Sequence, residues 1–192
     1  MFRIISGKWK AKRISAPKNF DVRPTTDFAK EALFSMLVNR YELEFCSVLD
    51  LFAGIGSITL ELASRDCQDI TAVEMNPKHA AFINSTAGDL EMALQINLQR
   101  GDVFEWLKKN RSKKTFDIVF ADPPFEMDEK KYNELISLVL NNNFLKENGV
   151  FVLEHQSKMK IEHPCHTDTR KYGNVSFSFF SPLETKELSA QD

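Results

Sequence analysis

Five short apolar runs, each separated from the next by a helical stretch, limit what this chain can fold into. The runs are Ser47-Val48-Leu49-Asp50-Leu51, Ile70-Thr71-Ala72-Val73-Glu74, Gln95-Ile96-Asn97-Leu98, Phe116 to Ala121, and Val150-Phe151-Val152-Leu153-Glu154. Helices are predicted over Ile58 to Ser64, from Pro77 to about Ala87, over Val103 to Lys109, and from about Lys130 to Leu140. Strands alternating with helices build a parallel sheet covered on both faces. Tyr172-Gly173-Asn174-Val175 predicts a turn between two final strands, the second being Val175 to Phe180, which adds an antiparallel edge. The expected fold is therefore α/β and Rossmann-like, a seven-stranded, mostly parallel sheet.

The first 40 residues break this pattern. Residues 2–6 and 12–16 are strand candidates, with Gly7 between them to turn a hairpin. Pro17 to Pro24 is a linker. A helix capped at Thr25 or Thr26 follows, with Asp27 in its first turn and Phe28, Ala32, Leu33, Met36 and Leu37 as the apolar stripe. Residues 1–40 carry nine Lys or Arg against three acids, a charge of +6 in a chain whose net charge is −2. A basic arm on an acidic body is an electrostatic footprint for a polyanion, and Trp9 among the cations either stacks on a base or caps the hairpin. The expected organisation is a basic extension over 1–40, a main domain over 41–182 and a frayed tail over 183–192.

Composition removes several classes. No apolar run approaches the ~20 residues a membrane span requires, and no secretory signal opens the chain. Cys46, Cys67 and Cys165 are odd in number and widely spaced, as expected of reduced thiols in a cytoplasmic protein. His155, His163, Cys165 and His166 lack metal-ligand spacing, so no metal site is expected.

Two places carry chemistry. Phe52-Ala53-Gly54-Ile55-Gly56-Ser57 is a small-residue loop between a strand and a helix, where backbone can approach a ligand closely. The third glycine of a dinucleotide fingerprint is missing, since Thr59 stands there. Asp50 and Glu74 end the first two strands; an acid at the second place accepts hydrogen bonds from ribose hydroxyls and suits a cationic ligand without phosphate, such as S-adenosylmethionine. Asp102 is placed to meet an adenine amine or to cap a helix. The second place is Asp122-Pro123-Pro124-Phe125, an acid and an aromatic ring on a loop stiffened by two prolines at the mouth of the fourth strand.

Taken together, Asp50 to Gly56, Val73-Glu74-Met75-Asn76 and Asp122 to Phe125 resemble motifs of the class I S-adenosylmethionine-dependent methyltransferases, in the branch that methylates amines. Arg3 to Lys10, Arg23-Pro24-Thr25-Thr26-Asp27 and Glu31-Ala32-Leu33-Phe34 resemble the bacterial small-subunit ribosomal RNA guanine-N2 methyltransferase family of RsmD type. The resemblance extends from Phe2 to about Phe180, with Ala11 standing where the family often has glycine and Ile55 at a usually small position. It implies that Asp122, Pro123 and Phe125 act at the target base. Asp50, Phe52, Gly54, Gly56, Glu74, Met75, Asp102 and Asp122 would bind S-adenosyl-L-methionine. Arg3, Lys8, Trp9, Lys10, Lys12, Arg13 and Arg23 would bind RNA. The implied partner is 16S ribosomal RNA or the assembling 30S particle, met by a monomer. Sequence physics at Asp122 leaves adenine-N6 methylation of DNA or RNA open, and a non-catalytic binding module is a third reading.

Overall fold

The computed structural model describes residues 1–17, 20 and 25–182. Arg23, the rest of the linker after Pro17 other than Phe20, and the tail beyond Pro182 lie outside the described residues.

The chain opens with a two-stranded antiparallel hairpin, β1 (Phe2–Arg3) and β2 (Arg13–Ile14), paired Phe2 to Ile14 and Arg3 to Arg13. Its turn region holds Ala11 at φ 67°, a left-handed conformation that disfavours any residue with a Cβ. Helix α1 (Asp27–Val38) follows, and the Thr26 side chain caps it by accepting from the Ala29 amide at 3.3 Å.

The buried face of α1 departs from the expected stripe. Ala29, Lys30, Leu33, Phe34 and Leu37 are buried, while Phe28 is 68% exposed and packs only edge-on against Tyr172. Lys30 lies on this buried face beside a buried carboxylate. Its ammonium lies 3.5 Å from Glu61, both side chains wholly inaccessible, and donates to the Arg3 carbonyl at 2.6 Å.

The main sheet has seven strands in the order β5-β4-β3-β6-β7-β9-β8. They are β3 (Ser47–Leu51), β4 (Asp69–Glu74), β5 (Ile96–Arg100), β6 (Phe116–Ala121), β7 (Leu145–Gln156), β8 (His166–Tyr172) and β9 (Val175–Phe180). The first five run parallel, and β9 pairs antiparallel with both β7 and β8. Helices α2 (Ser57–Ser64), α3 (Pro77–Asp89), α4 (Val103–Asn110) and α5 (Glu129–Asn141) form the crossovers. The third strand is shifted C-terminally from its expected place, and β7 is longer than the apolar run that marked it.

From β3 the chain moves outward to β5, then returns to place β6 on the other side of β3. The crevice between the C-terminal ends of β3 and β6 is the switch point where open α/β sheets bind ligands. One face of the sheet, with Val48, Ile118, Phe120, Val150 and Val152, packs against the hairpin and α1 through Phe2, Ile4, Ile14, Leu33, Phe34 and Leu37. Burying each large apolar side chain contributes roughly 1.5–3 kcal/mol, so the N-terminal segment shares the core of the sheet. The other face, with Leu49, Leu51, Val119, Ala121 and Leu153, is covered by α4 and α5. Among the described residues no helix is long and apolar enough to cross a membrane.

Candidate active site

The loop after β3 and the loop after β6 meet over the switch point. Asp50, Phe52, Ala53, Gly54, Ile55 and Asp122 line one cleft there, with Thr25 closing it from the start of α1.

Glu74 organises the first wall. At the end of β4, its carboxylate accepts from the Gly54 amide at 2.7 Å through one oxygen and from the Asn76 amide at 2.7 Å through the other. The oxygen bound to Gly54 keeps a second lone pair for an outside donor, while the one bound to Asn76 also lies 3.6 Å from His79 Nδ1. Gly54 has φ 57°, and a Cβ there would meet no atom closer than 3.9 Å, so the backbone faces open space. Gly56 is required by packing: at φ 82°, a Cβ would lie 2.9 Å from Ile83. Met75, 65% exposed, follows Glu74 at the rim. Asp102 caps α4 by accepting from the Glu105 amide at 3.0 Å through one oxygen. A carboxylate held by two amides and a glycine with open space before it fit the ribose and methionine portions of S-adenosyl-L-methionine.

Asp50 lies deeper, 1% exposed, and accepts from the Thr59 hydroxyl at 2.5 Å. Burial pushes its carboxyl up to about 7 against the Thr59 hydrogen bonds, and the Glu74 charge pushes the same way.

Asp122 stands opposite. It continues from β6 with its amide toward the Leu51 carbonyl, and among the described residues its carboxyl accepts no hydrogen bond. Pro123 is buried, Pro124 exposed, and Phe125 half-buried. The loop is held by the Met127 amide on the Pro124 carbonyl at 2.9 Å and by Gln156 Nε2 on the Phe125 carbonyl at 3.1 Å. Burial, then the Glu154 and Asp50 carboxylates, push the Asp122 carboxyl well above the usual range. Glu154, at the same end of β7 and 2% exposed, accepts from the Thr25 hydroxyl at 2.8 Å. In the sequence Glu154 is only the end of a strand, and no motif marks it.

The basic arm is less free than its charge suggested. Arg3 pairs with Asp27 at 3.0 Å and Glu31 at 3.6 Å, and Lys8 pairs with Glu91 at 3.0 Å. Trp9 caps the hairpin: its indole donates to the Leu90 carbonyl at 2.9 Å and packs on the core. Lys10, Lys12 and Arg13 remain exposed, with no ion pair among the described residues. The apolar stripe of the first helix is expected to dock the arm, and Leu33 and Leu37 do pack in the core; the polar half of the docking carries no sequence signal. The buried Glu61 of α2 accepts from the Ile5 and Ser6 amides at 2.7 and 3.0 Å and from Arg65 at 2.8 Å. Lys30 also donates to the Ser57 hydroxyl at 3.4 Å, at the cleft end of the same helix. Asp117 is structural, holding the Ser47 amide and Lys146.

A family model described as "Conserved hypothetical protein 95" matches residues 2–181. A ribosomal RNA small subunit methyltransferase D from Buchnera aphidicola subsp. Baizongia pistaciae is 32% identical over 82% of this chain and 77% of its own. Among solved structures, a hypothetical protein of Thermus thermophilus superposes with a TM-score of 0.80 at 24% identity, over 94% of this chain and 99% of that one. A T. thermophilus 16S rRNA N2 G1207 methyltransferase, solved with AdoMet and guanosine, shares the fold with a TM-score of 0.68 at 23% identity, over 86% of this chain and 44% of that one. The glycine loop, Glu74 and the Asp122 loop thus occur in a chain that belongs to the Conserved hypothetical protein 95 family, the RsmD type of class I methyltransferases.

Proposed function

We propose that this protein transfers a methyl group from S-adenosyl-L-methionine to the exocyclic N2 amine of a guanine in small-subunit ribosomal RNA. The observation that carries the reading is Asp122, an acid with no hydrogen-bond donor among the described residues, across one cleft from the glycine loop that Glu74 holds. Ribosomal RNA as substrate is supported by the small-subunit methyltransferase D relative and by the exposed Lys10, Lys12 and Arg13. Guanine N2 as the target atom is supported by the N-terminal motifs.

When bound, S-adenosyl-L-methionine supplies an activated methyl group on a sulfonium. The residues of this chain then have mainly to bind and orient. Glu74, fixed by two amides, accepts from ribose hydroxyls, and Met75 offers an exposed side chain to the adenine face. The spare oxygen of Asp102 reaches for the adenine amine. A guanine amine is a weak nucleophile because its lone pair is delocalised into the ring. The Asp122 carboxyl and the Pro123 carbonyl accept from its two N–H groups, which favours a tetrahedral nitrogen with its lone pair toward the cofactor. Phe125 stacks on the extruded base, and the arm holds flanking phosphates.

The test is incubation with methyl-labelled S-adenosyl-L-methionine and, in separate arms, naked 16S rRNA, 30S particles and DNA. Label is expected in 16S rRNA in one or both ribosomal arms. Label confined to DNA, or cofactor binding with no transfer in any arm, would refute the proposal.

A further inference from the structure

Two carboxyl groups, the half-buried Asp122 and the buried Glu154, stand side by side at the floor of the cleft, and methyl transfer at Asp122 uses one. The last paired residues of β6 and β7 are Ala121 and Leu153, so Asp122 and Glu154 are the next neighbours in register. Neighbouring parallel strands lie ~4.8 Å apart, and residues in register point to the same face. One oxygen of Glu154 is tied to the Thr25 hydroxyl at 2.8 Å. Its other oxygen has no partner among the described residues.

The surroundings face this pair from several elements. Asp50 on β3 is aligned with Phe120, two residues before Asp122, and so shares its face. From α5, Tyr132 is 1% exposed and its hydroxyl has no hydrogen-bond partner. Burial, then Asp122, Glu154 and Glu126, push that hydroxyl up to about 12. Thr25 faces the pair from the start of α1. Two carboxylates ionised at strand spacing repel strongly in such a place.

We propose that Glu154 is a positioning residue for methyl transfer at Asp122: the two carboxyl groups hold one proton between them. Once the target amine is in place, the proton sits on Glu154 and is donated to one oxygen of Asp122, leaving the other oxygen as acceptor for the amine. The inference rests on the reading of Asp122 given above. In the transfer step the amine lone pair forms the N–C bond, the C–S bond breaks with its pair remaining on sulfur, and the amine proton passes to Asp122. The pair is then doubly protonated and returns one proton to solvent when the product leaves. Burial pushes Glu154 up to about 7 against the Thr25 hydrogen bond, and burial with the Glu154 charge pushes Asp122 well above its usual range, in keeping with a pair that holds one proton.

The test uses Glu154→Gln, whose amide keeps an acceptor for Thr25 and supplies a donor to Asp122 that cannot be lost as pH rises. Single-turnover methylation of the ribosomal substrate by wild type is expected to fall on the alkaline side as the shared proton leaves. In Glu154→Gln that fall is absent, and the rate near pH 7 stays within about threefold of wild type. Glu154→Ala is expected to lose more than about tenfold, with S-adenosyl-L-methionine affinity kept. Identical pH profiles for wild type and Glu154→Gln would overturn the proposal and leave Glu154 as an anchor for Thr25. Infrared spectra of the ligand-free proteins decide the pair independently of activity. With the Asp50 contribution removed by an Asp50→Asn background, the protonated-carboxyl band near pH 7 is expected to be lost in both Glu154→Gln and Asp122→Asn; its persistence in either overturns the shared proton. Should wild type methylate no ribosomal RNA, the reading of the reaction fails while the infrared result still decides the pair.

Discussion

Replacing Lys30 by methionine removes the one lysine among the described residues whose side chain is wholly inaccessible. Its ammonium lies 3.5 Å from Glu61 and donates to the Arg3 carbonyl at 2.6 Å. Burial lowers its pKa and the Glu61 charge opposes that, so the pair offsets a large desolvation cost. Removing one member of a buried pair costs about 3–5 kcal/mol. The lower end applies here, because Glu61 keeps Arg65 and the Ile5 and Ser6 amides. For a chain of this size 1 kcal/mol moves the melting temperature by about 2–4 °C, so Lys30→Met is expected to melt about 10 °C lower. An isolated ion pair would tolerate removal of both members. This one does not, because two backbone amides need the carboxylate. Glu61→Leu should therefore destabilise more than Lys30→Met, and the double variant more than Lys30→Met alone. Thermal unfolding followed by circular dichroism reads all three. A Lys30→Met melting point within about 3 °C of wild type, or a double variant more stable than Lys30→Met, would refute the reasoning.

Three further outcomes are expected. Ala11→Gly, at φ 67°, should stabilise by about 0.5–1 kcal/mol in urea unfolding, whereas Gly7→Ala, whose Cβ would fall 1.7 Å from the Ser64 carbonyl oxygen, should strip the hairpin from α2 and lower the midpoint; an unchanged midpoint in either case contradicts the turn geometry. Asp50 and Glu154 have folded values raised to about 7 from unfolded values near ~4. The stability they contribute is full below the unfolded values and lost as pH rises through about 7, so the melting temperature should decline across that window and Asp50→Asn should flatten the decline. Asp122→Ala should lose about 100-fold or more in methyl transfer while S-adenosyl-L-methionine affinity, read by calorimetry, changes less than about threefold; equal loss of both would assign Asp122 to the fold.

Much of the site was legible because its signals are local. A strand ending in Asp122-Pro123-Pro124 and a loop holding Gly54 and Gly56 each declare their place in the fold by what they forbid. The alternation that predicted the sheet also predicted the crevice where these loops meet. What was illegible depends on partners distant in the chain. Lys30 reads as a solvated charge in the sequence, because its buried partner Glu61 lies on another helix. The positive charge of the first 40 residues was counted correctly, but Arg3 and Lys8 spend it on Asp27, Glu31 and Glu91. Trp9 had two readings from sequence, and the Leu90 carbonyl decides for the cap. Glu154 carries no motif; only the pairing of β6 with β7 sets it beside Asp122.

Under the proposed function, the Asp122 cleft presents a guanine amine for methylation. The most direct measurement digests the modified 16S rRNA to nucleosides after reaction with methyl-labelled S-adenosyl-L-methionine and identifies the labelled nucleoside by mass spectrometry. A single label is expected, co-eluting with N2-methylguanosine and absent with Asp122→Ala. Label in N6-methyladenosine, or on a guanine ring nitrogen, would contradict it.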